Sequence, residues 1–94
     1  MFTSEEIIDY VFENNPNAAL FTCPDFNDAI VGWIENEYEL PVICYSYCMM
    51  VESLAKECEY SEDPIMEAME YIDYNTLRTL PYISDTGRPA ILYN

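Results

Sequence analysis

Histidine is absent from this 94-residue chain, and lysine and arginine together number only 3. Without histidine the chain lacks the commonest general base and a frequent metal ligand, so Ser-His and Cys-His catalysis within it is excluded. The 2 glycines, Gly32 and Gly87, lie far apart with no lysine after them, which excludes a glycine-rich phosphate-binding loop. No run approaches the roughly 18 apolar residues of a membrane span. We expect no cofactor and no metal site.

Acidic residues dominate the charged positions, since 18 aspartates and glutamates give a formal net charge of −15. Direct nucleic-acid binding and attachment to anionic membranes both depend on lysine and arginine, so both are disfavoured. A basic protein surface is the natural complement. Because 51% of the residues are hydrophobic, the chain can still bury a core, and its length suits one unit. We predict a single compact domain over residues 1–94.

The first residues carry acids where a secretory signal would carry basic residues. We therefore expect a cytoplasmic protein. In a reducing compartment cysteines are thiols by default, and their ordinary role is that of small hydrophobic side chains. The sequence contains four of them: Cys23, Cys44, Cys48 and Cys58.

Two helices are indicated by their caps and by apolar spacing. Thr3 and Glu6 match a capping box at the start of a helix over about residues 4–13. Ser46 is the expected N-cap of a second helix, in which apolar residues recur with the helical period as far as residues 58–59.

Short apolar runs bounded by turn residues predict four strands, at about residues 19–22, 29–34, 41–45 and 90–93. The second and third should form a hairpin, and Gly32 indicates a bulge or a close neighbour there. The predicted order is α-β-β-β-α-α-β. It indicates an α+β fold with a small, mostly antiparallel sheet packed against helices.

The stretch 61–73, SEDPIMEAMEYID, combines an apolar helical stripe with five carboxylates. Ser61 is the expected cap of this helix, and Pro64 suits its first turn. Turns are about 5.4 Å apart, so the acids form a rod of charge similar in scale to a phosphate backbone. Flanking tyrosines offer rigid surfaces with a polar end for a partner. The candidate partner-binding residues are Glu62, Asp63, Glu67, Glu70, Asp73, Tyr60, Tyr71 and Tyr74.

The 3 basic residues are expected to form local ion pairs, each worth well under about 1 kcal/mol. The expected pairs are Arg78 with Asp73 or Glu70, Arg88 with Asp85, and Lys56 with Glu52 or with residues 59–60. Such pairs offset little of the negative charge.

From about Phe26 to Tyr93 the chain resembles small acidic orphan proteins of bacterial prophages and other mobile elements. The resemblance is carried by residues 28–32 (DAIVG), 66–83 (MEAMEYIDYNTLRTLPYI) and 89–93 (PAILY), with the helix that begins near Tyr47. In general character the chain is also similar to phage anti-defence proteins that imitate nucleic acid, including anti-restriction and anti-CRISPR inhibitors. The resemblance implies a compact domain that acts in the cytoplasm of a bacterial host cell.

Three hypotheses follow. The first is a non-enzymatic inhibitor whose acidic helix meets the basic surface of a nucleic-acid-binding protein such as a nuclease. The second is a generic interaction or adaptor domain, in one form a homodimer, that uses a hairpin at Trp33 and Tyr38 or the edge of the last strand. The third, a small enzyme using carboxylates alone, is the least favoured because the acids are expected on exposed faces, so we expect no enzyme.

Overall fold

The computed structural model describes residues 2–58 and 60–93, which form three α-helices and a three-stranded sheet. The α+β class is confirmed. The predicted end of the second helix at Glu59 lies outside the described residues. In chain order the elements are α1 (Ser4–Asn14), β1 (Ile30–Glu35), β2 (Pro41–Ser46), α2 (Tyr47–Ala55), α3 (Pro64–Tyr71) and β3 (Ala90–Leu92).

Local capping explains where α1 and α2 begin. The Thr3 hydroxyl accepts a hydrogen bond from the Glu6 amide, and the Glu6 carboxylate accepts one from the Thr3 amide, both at 3.2 Å. This reciprocal arrangement is the predicted capping box. The Ser46 hydroxyl accepts from the Met49 amide at 3.3 Å, so Ser46 is the N-cap of α2. Helix α2 ends at Ala55, earlier than predicted, and the chain continues as a 3₁₀ turn.

Strands β1 and β2 form the predicted antiparallel hairpin, with Trp33 opposite Ile43. The register shifts between Ile30 and Gly32, which is the irregularity expected at this glycine. A Cβ atom at Gly32 would meet nothing within 4 Å, so the alternative reading of a close neighbour is wrong.

Strand β3 pairs with β2 in parallel, so the sheet is mixed. Of its two strand pairs, β1–β2 is antiparallel as predicted, and β2–β3 is not. A parallel pair needs a long crossover connection. Here the crossover consists of α2, α3, a π-helical turn at Ile72–Thr76 and a 3₁₀ segment at Leu77–Tyr82.

The strand predicted at residues 19–22 does not form. The chain there is irregular, and it is partly buried. Two backbone amides of this segment form hydrogen bonds that are not part of the β-sheet ladder. The Phe21 amide donates to the buried Tyr45 hydroxyl at 3.1 Å, and the Ala19 amide donates to the Gly87 carbonyl at 3.0 Å. These two bonds give the Ala19 and Phe21 amides partners without strand pairing. A 3₁₀ segment, Pro24–Ala29, then leads into β1.

Buried apolar side chains of the described residues form one cluster between the sheet and the helices. Its largest fully buried member is Tyr45, on the central strand β2. The cluster consists of Ile7, Val11, Phe21, Phe26, Ala29, Ile30, Ile43, Tyr45, Met50, Val51, Leu54, Ala68 and Ile72.

A second stabilising centre is polar, and we call Asn15, Asn36, Thr86 and Gly87 the polar hub. The buried Asn15 amide group donates to the Pro41 carbonyl at 3.0 Å and to the Thr86 carbonyl at 2.7 Å. The Asn36 amide group donates to the same Thr86 carbonyl at 3.0 Å. The hub therefore joins the end of α1, the β1–β2 turn and the loop before β3, which are distant in sequence.

Gly87 brings two backbone segments into close contact. A Cβ atom at this position would lie 1.7 Å from the carbonyl oxygen of Asn17, so only glycine fits without movement of the backbone. Arg88 fixes the same loop, because its guanidinium donates to the Leu80 carbonyl at 2.7 Å and pairs with Asp85 at 2.6 Å. The ion pair predicted between Arg88 and Asp85 is thus confirmed.

Candidate functional site

Helix α3 packs against α2 on one side and faces solvent on the other. Ala68 is fully buried, as is Ile72 just beyond the helix, and Met69 is half-buried. We use the name α3 acidic face for the five carboxylate residues predicted here, all of which are exposed: Glu62, Asp63, Glu67, Glu70 and Asp73.

Two members of the α3 acidic face have structural partners. Asp63, not Ser61, is the N-cap of α3: its carboxylate accepts from the Met66 amide at 3.1 Å, while the Ser61 hydroxyl accepts from the Asp63 amide. The predicted Ser61 cap is therefore wrong. Pro64 occupies the first turn and keeps the preceding residue out of the helical region, which makes Asp63 the cap.

Asp73 links the end of the acidic segment to α2. Its carboxylate accepts a hydrogen bond from the Tyr47 hydroxyl at 3.2 Å. Burial raises the pKa of the Tyr47 hydroxyl, and the charge of Asp73 and this hydrogen bond raise it further. The hydroxyl consequently stays protonated at neutral pH and remains a donor to Asp73.

Glu67 and Glu70 lie one turn apart on the exposed side of α3 and form no ion pair within the described part of the chain. Glu67 lies near Cys58, at the end of the preceding 3₁₀ turn. Desolvation raises the pKa of the Cys58 thiol, and the charges of Glu67 and Glu57 raise it further. The thiol is therefore protonated at neutral pH and is a poor nucleophile.

The three candidate tyrosines are all exposed, and their surroundings differ. Tyr60, before α3, is 95% exposed. Tyr71 follows Glu67 and Glu70 on the same helix face, and it also lines a cavity of about 260 Å³ next to residues 19–23. The guanidinium of Arg78 lies over the Tyr74 ring, 5.0 Å from its centroid. Tyr71 therefore shares a helix face with Glu67 and Glu70, whereas the Tyr74 ring is in contact with the Arg78 guanidinium.

Ion pairing is sparse on this surface. Within residues 2–58 and 60–93 the only ion pair is that of Arg88 with Asp85. The predicted pairs of Arg78 with Asp73 or Glu70 are not formed, since the Arg78 guanidinium lies over the Tyr74 ring instead. The predicted pair of Lys56 with Glu52 is not formed either. Pairing of Lys56 with Glu59 lies outside the described residues. Within these residues no carboxylate of the α3 acidic face takes part in an ion pair.

A second charged and aromatic cluster, which the sequence interpretation missed, lies where α1 packs against β1. Its centre is Trp33, whose ring lies 4.4 Å from that of Tyr10 and 5.5 Å from that of Phe2, centroid to centroid. The only local signal in the sequence is the helical spacing of Glu6, Asp9, Tyr10 and Glu13. The contact with Trp33 spans the β-hairpin and α1 and has no sequence signature.

Neither a metal centre nor a membrane span is found in the described parts of the chain. No group of three or more cysteine, aspartate or glutamate side chains there could hold a metal ion. No described helix has the length and apolarity needed to cross a bilayer. All four cysteines are free in the structure.

No protein-family model, curated protein or solved structure matches this chain. The functional assignment accordingly depends on the chemistry of its own surfaces.

Proposed function

We propose that this protein is a non-enzymatic inhibitor that presents the α3 acidic face to the basic surface of a nucleic-acid-binding protein, such as a nuclease. The inhibitor occupies the surface that nucleic acid would otherwise bind. We further propose that it originates among the small acidic proteins of prophages and mobile elements and acts in the bacterial cytoplasm. Its target there would be a host defence protein, such as a CRISPR or restriction nuclease, so that the protein acts as an anti-CRISPR or anti-restriction inhibitor.

The observation that carries the proposal is the large excess of exposed, unneutralised carboxylates. The chain has a net charge of −15, and the described residues contain a single ion pair, which lies away from α3. Charge of this size destabilises a compact state by self-repulsion. A cationic partner would relieve that repulsion, and electrostatic attraction would speed the encounter.

The arrangement along α3 supports mimicry of a charged backbone. Asp63, Glu67 and Glu70 are spaced by four and three residues, so they follow one side of the helix at intervals of about one turn. Tyr71 lies next to Glu70 on that side and supplies a rigid surface that favours slow dissociation. Tyr60 adds a fully accessible ring at the start of the segment.

The proposal is tested by a pull-down from a bacterial lysate with the intact protein as bait. Captured proteins are released first with excess short duplex DNA or RNA, and separately by raising salt from about 0.1 M to about 0.5 M. We expect a nucleic-acid-binding protein that both treatments release, because the competitor and the α3 acidic face would use the same basic surface.

The double variant Glu67→Lys/Glu70→Lys should weaken binding of that protein about tenfold or more. Each substitution changes the charge by +2, so the net charge rises by 4, from −15 to −11. The matched control Glu35→Lys/Glu37→Lys makes the same change at the exposed end of β1 and in the turn after it, and it should weaken binding far less. Equal losses from the two variants, or a captured protein that nucleic acid does not displace, would contradict the proposal.

A second candidate function is self-association or adaptor binding through a sheet edge, and one observation favours it. Strand β1 is an edge strand that exposes two branched apolar side chains, Val31 at 45% and Ile34 at 48%. Exposed edges of this kind pair readily with another chain. Sedimentation over a wide range of protein concentration tests the self-associating form: a dimer that Ile34→Lys disrupts supports it, and a monomer throughout contradicts it.

A further inference from the structure

The cluster around Trp33 borders an open surface depression of about 440 Å³ between α1 and β1. Three aromatic rings and three carboxylate side chains line it: Phe2, Tyr10, Trp33, Glu6, Asp9 and Glu13. We call this site the Trp33 pocket. Phe2 is 60% exposed and Tyr10 is 43% exposed, so these two rings are accessible from solvent, while Trp33 is half-buried beside them.

The helical spacing of α1 explains why acids and an aromatic ring converge. Glu6, Asp9, Tyr10 and Glu13 are separated by three, one and three residues, which places them along one side of the helix. Glu6 is committed to the capping box with Thr3. Asp9 and Glu13 have neither an ion pair nor a side-chain hydrogen bond to the rest of the described chain, so their charges remain available.

Aromatic faces and carboxylates together favour a cation. The face of a tryptophan or tyrosine ring attracts a cation within about 6 Å of its centroid, and tryptophan is the strongest of the aromatic residues in this respect. Adjacent carboxylates add attraction and hydrogen-bond acceptors. An anion would be repelled here, and a neutral apolar group would leave the carboxylates without partners.

We propose that the Trp33 pocket binds the guanidinium group of an arginine side chain displayed by a partner protein. Guanidinium is planar, so it can stack on an aromatic ring while its edge donates up to five hydrogen bonds to carboxylates such as Asp9 and Glu13. A lysine ammonium is strongly hydrated and cannot stack in this way. A quaternary ammonium would use the rings but could not donate to the acids.

This inference does not rest on the proposed function, because the two sites use different elements. The Trp33 pocket is built from α1 and β1, whereas the α3 acidic face lies on a helix that packs against α2. The two proposals can consequently fail separately.

The sequence contains a single tryptophan, so the fluorescence of Trp33 reports on this pocket alone. The experiment titrates the intact protein with N-acetyl-arginine amide and, in parallel, with the corresponding lysine and citrulline amides. Citrulline has nearly the shape of arginine but no charge. We expect a saturable change in Trp33 emission with the arginine probe, half-saturation at a clearly higher concentration with lysine, and no saturable change with citrulline.

Matched neutral variants separate the pocket from the general negative field. Asp9→Asn/Glu13→Gln should weaken arginine binding about three- to tenfold, since two exposed charge-assisted contacts are lost. The control Glu52→Gln/Glu57→Gln removes the same charge elsewhere and should change it by less than about twofold. Glu67→Lys/Glu70→Lys should likewise leave the titration nearly unchanged, which distinguishes this site from the α3 acidic face.

The proposal is overturned if the citrulline probe produces the same emission change or if lysine half-saturates at the same concentration as arginine. It is also overturned if the control pair weakens binding as much as the Asp9/Glu13 pair. All of these variants lie at exposed positions, so loss of folding is not expected to obscure the result.

Discussion

The polar hub and the α3 acidic face are both rich in polar groups, yet they use them differently. In the hub, the buried Asn15 side chain has partners for both its donor and its acceptor, and Thr86 accepts from two asparagines. On α3, Glu67 and Glu70 point into solvent without a basic partner. The hub holds distant segments together, whereas most of the acidic face is not needed for the fold.

This difference separates residues that stabilise from residues available for binding. A buried polar group that loses its partner costs about 1–3 kcal/mol, so the hub is sensitive to substitution. An exposed carboxylate without a partner has little to lose, and its charge opposes folding through repulsion. The comparison predicts large stability effects at the hub and small ones on α3.

The largest effect is expected for Gly87→Ala. The new Cβ would lie 1.7 Å from a backbone oxygen of Asn17, so the backbone must move and the bond from the Ala19 amide to Gly87 is disturbed. We expect a loss of about 3 kcal/mol in the free energy of unfolding, measured by urea denaturation with Trp33 fluorescence. Gly32→Ala is the matched control and should cost less than about 1 kcal/mol, because its Cβ meets nothing. If Gly32→Ala lowered the free energy of unfolding as much as Gly87→Ala, the hub would not be more sensitive to substitution than other parts of the fold.

A smaller effect is expected for Asp63→Ala, which removes the carboxylate that caps α3. Loss of the N-cap bond to the Met66 amide should lower the free energy of unfolding by about 1 kcal/mol in the same assay. Asp63→Asn should retain most of the stability because asparagine also caps well. Glu62→Ala, the adjacent exposed acid, should have an effect within about 0.5 kcal/mol. If Glu62→Ala lowered the free energy of unfolding as much as Asp63→Ala, the loss at Asp63 would come from its charge and not from capping.

Local signals explain what the sequence predicted correctly. The capping box at Thr3 and the N-cap at Ser46 each depend on residues three positions apart, and the β1–β2 hairpin joins neighbours in the chain. The Asp63 cap was also within reach. Giving more weight to the effect of Pro64 on the residue before it would have selected Asp63 over Ser61.

Long-range contacts account for what was missed. The hydrogen bond from Asn15 to Thr86 spans 71 positions, and nothing near either residue indicates the other. The parallel pairing of β3 with β2 depends on the path of the crossover connection. Residues 19–22 have the composition of a strand, but two of their amides donate to Tyr45 and Gly87 instead of to a neighbouring strand. For the candidate site, the exposure of the acids followed from helical spacing, whereas the stacking of Arg78 on Tyr74 and the Trp33 pocket required the folded structure.

The smallest effect, and the sharpest test of the comparison, is expected for Glu67→Gln/Glu70→Gln. Removing two negative charges changes the net charge from −15 to −13 and relieves repulsion between neighbours one turn apart. We expect the free energy of unfolding to rise by a few tenths of a kcal/mol in low salt, and the difference to vanish near 1 M salt, where charges are screened within about 3 Å. Glu35→Gln/Glu37→Gln makes the same charge change at the end of β1 and in the turn after it, and it should behave similarly. A loss of more than about 1 kcal/mol specific to the α3 pair would mean that these carboxylates stabilise the fold, and the case for an acidic face kept free for a partner would fail.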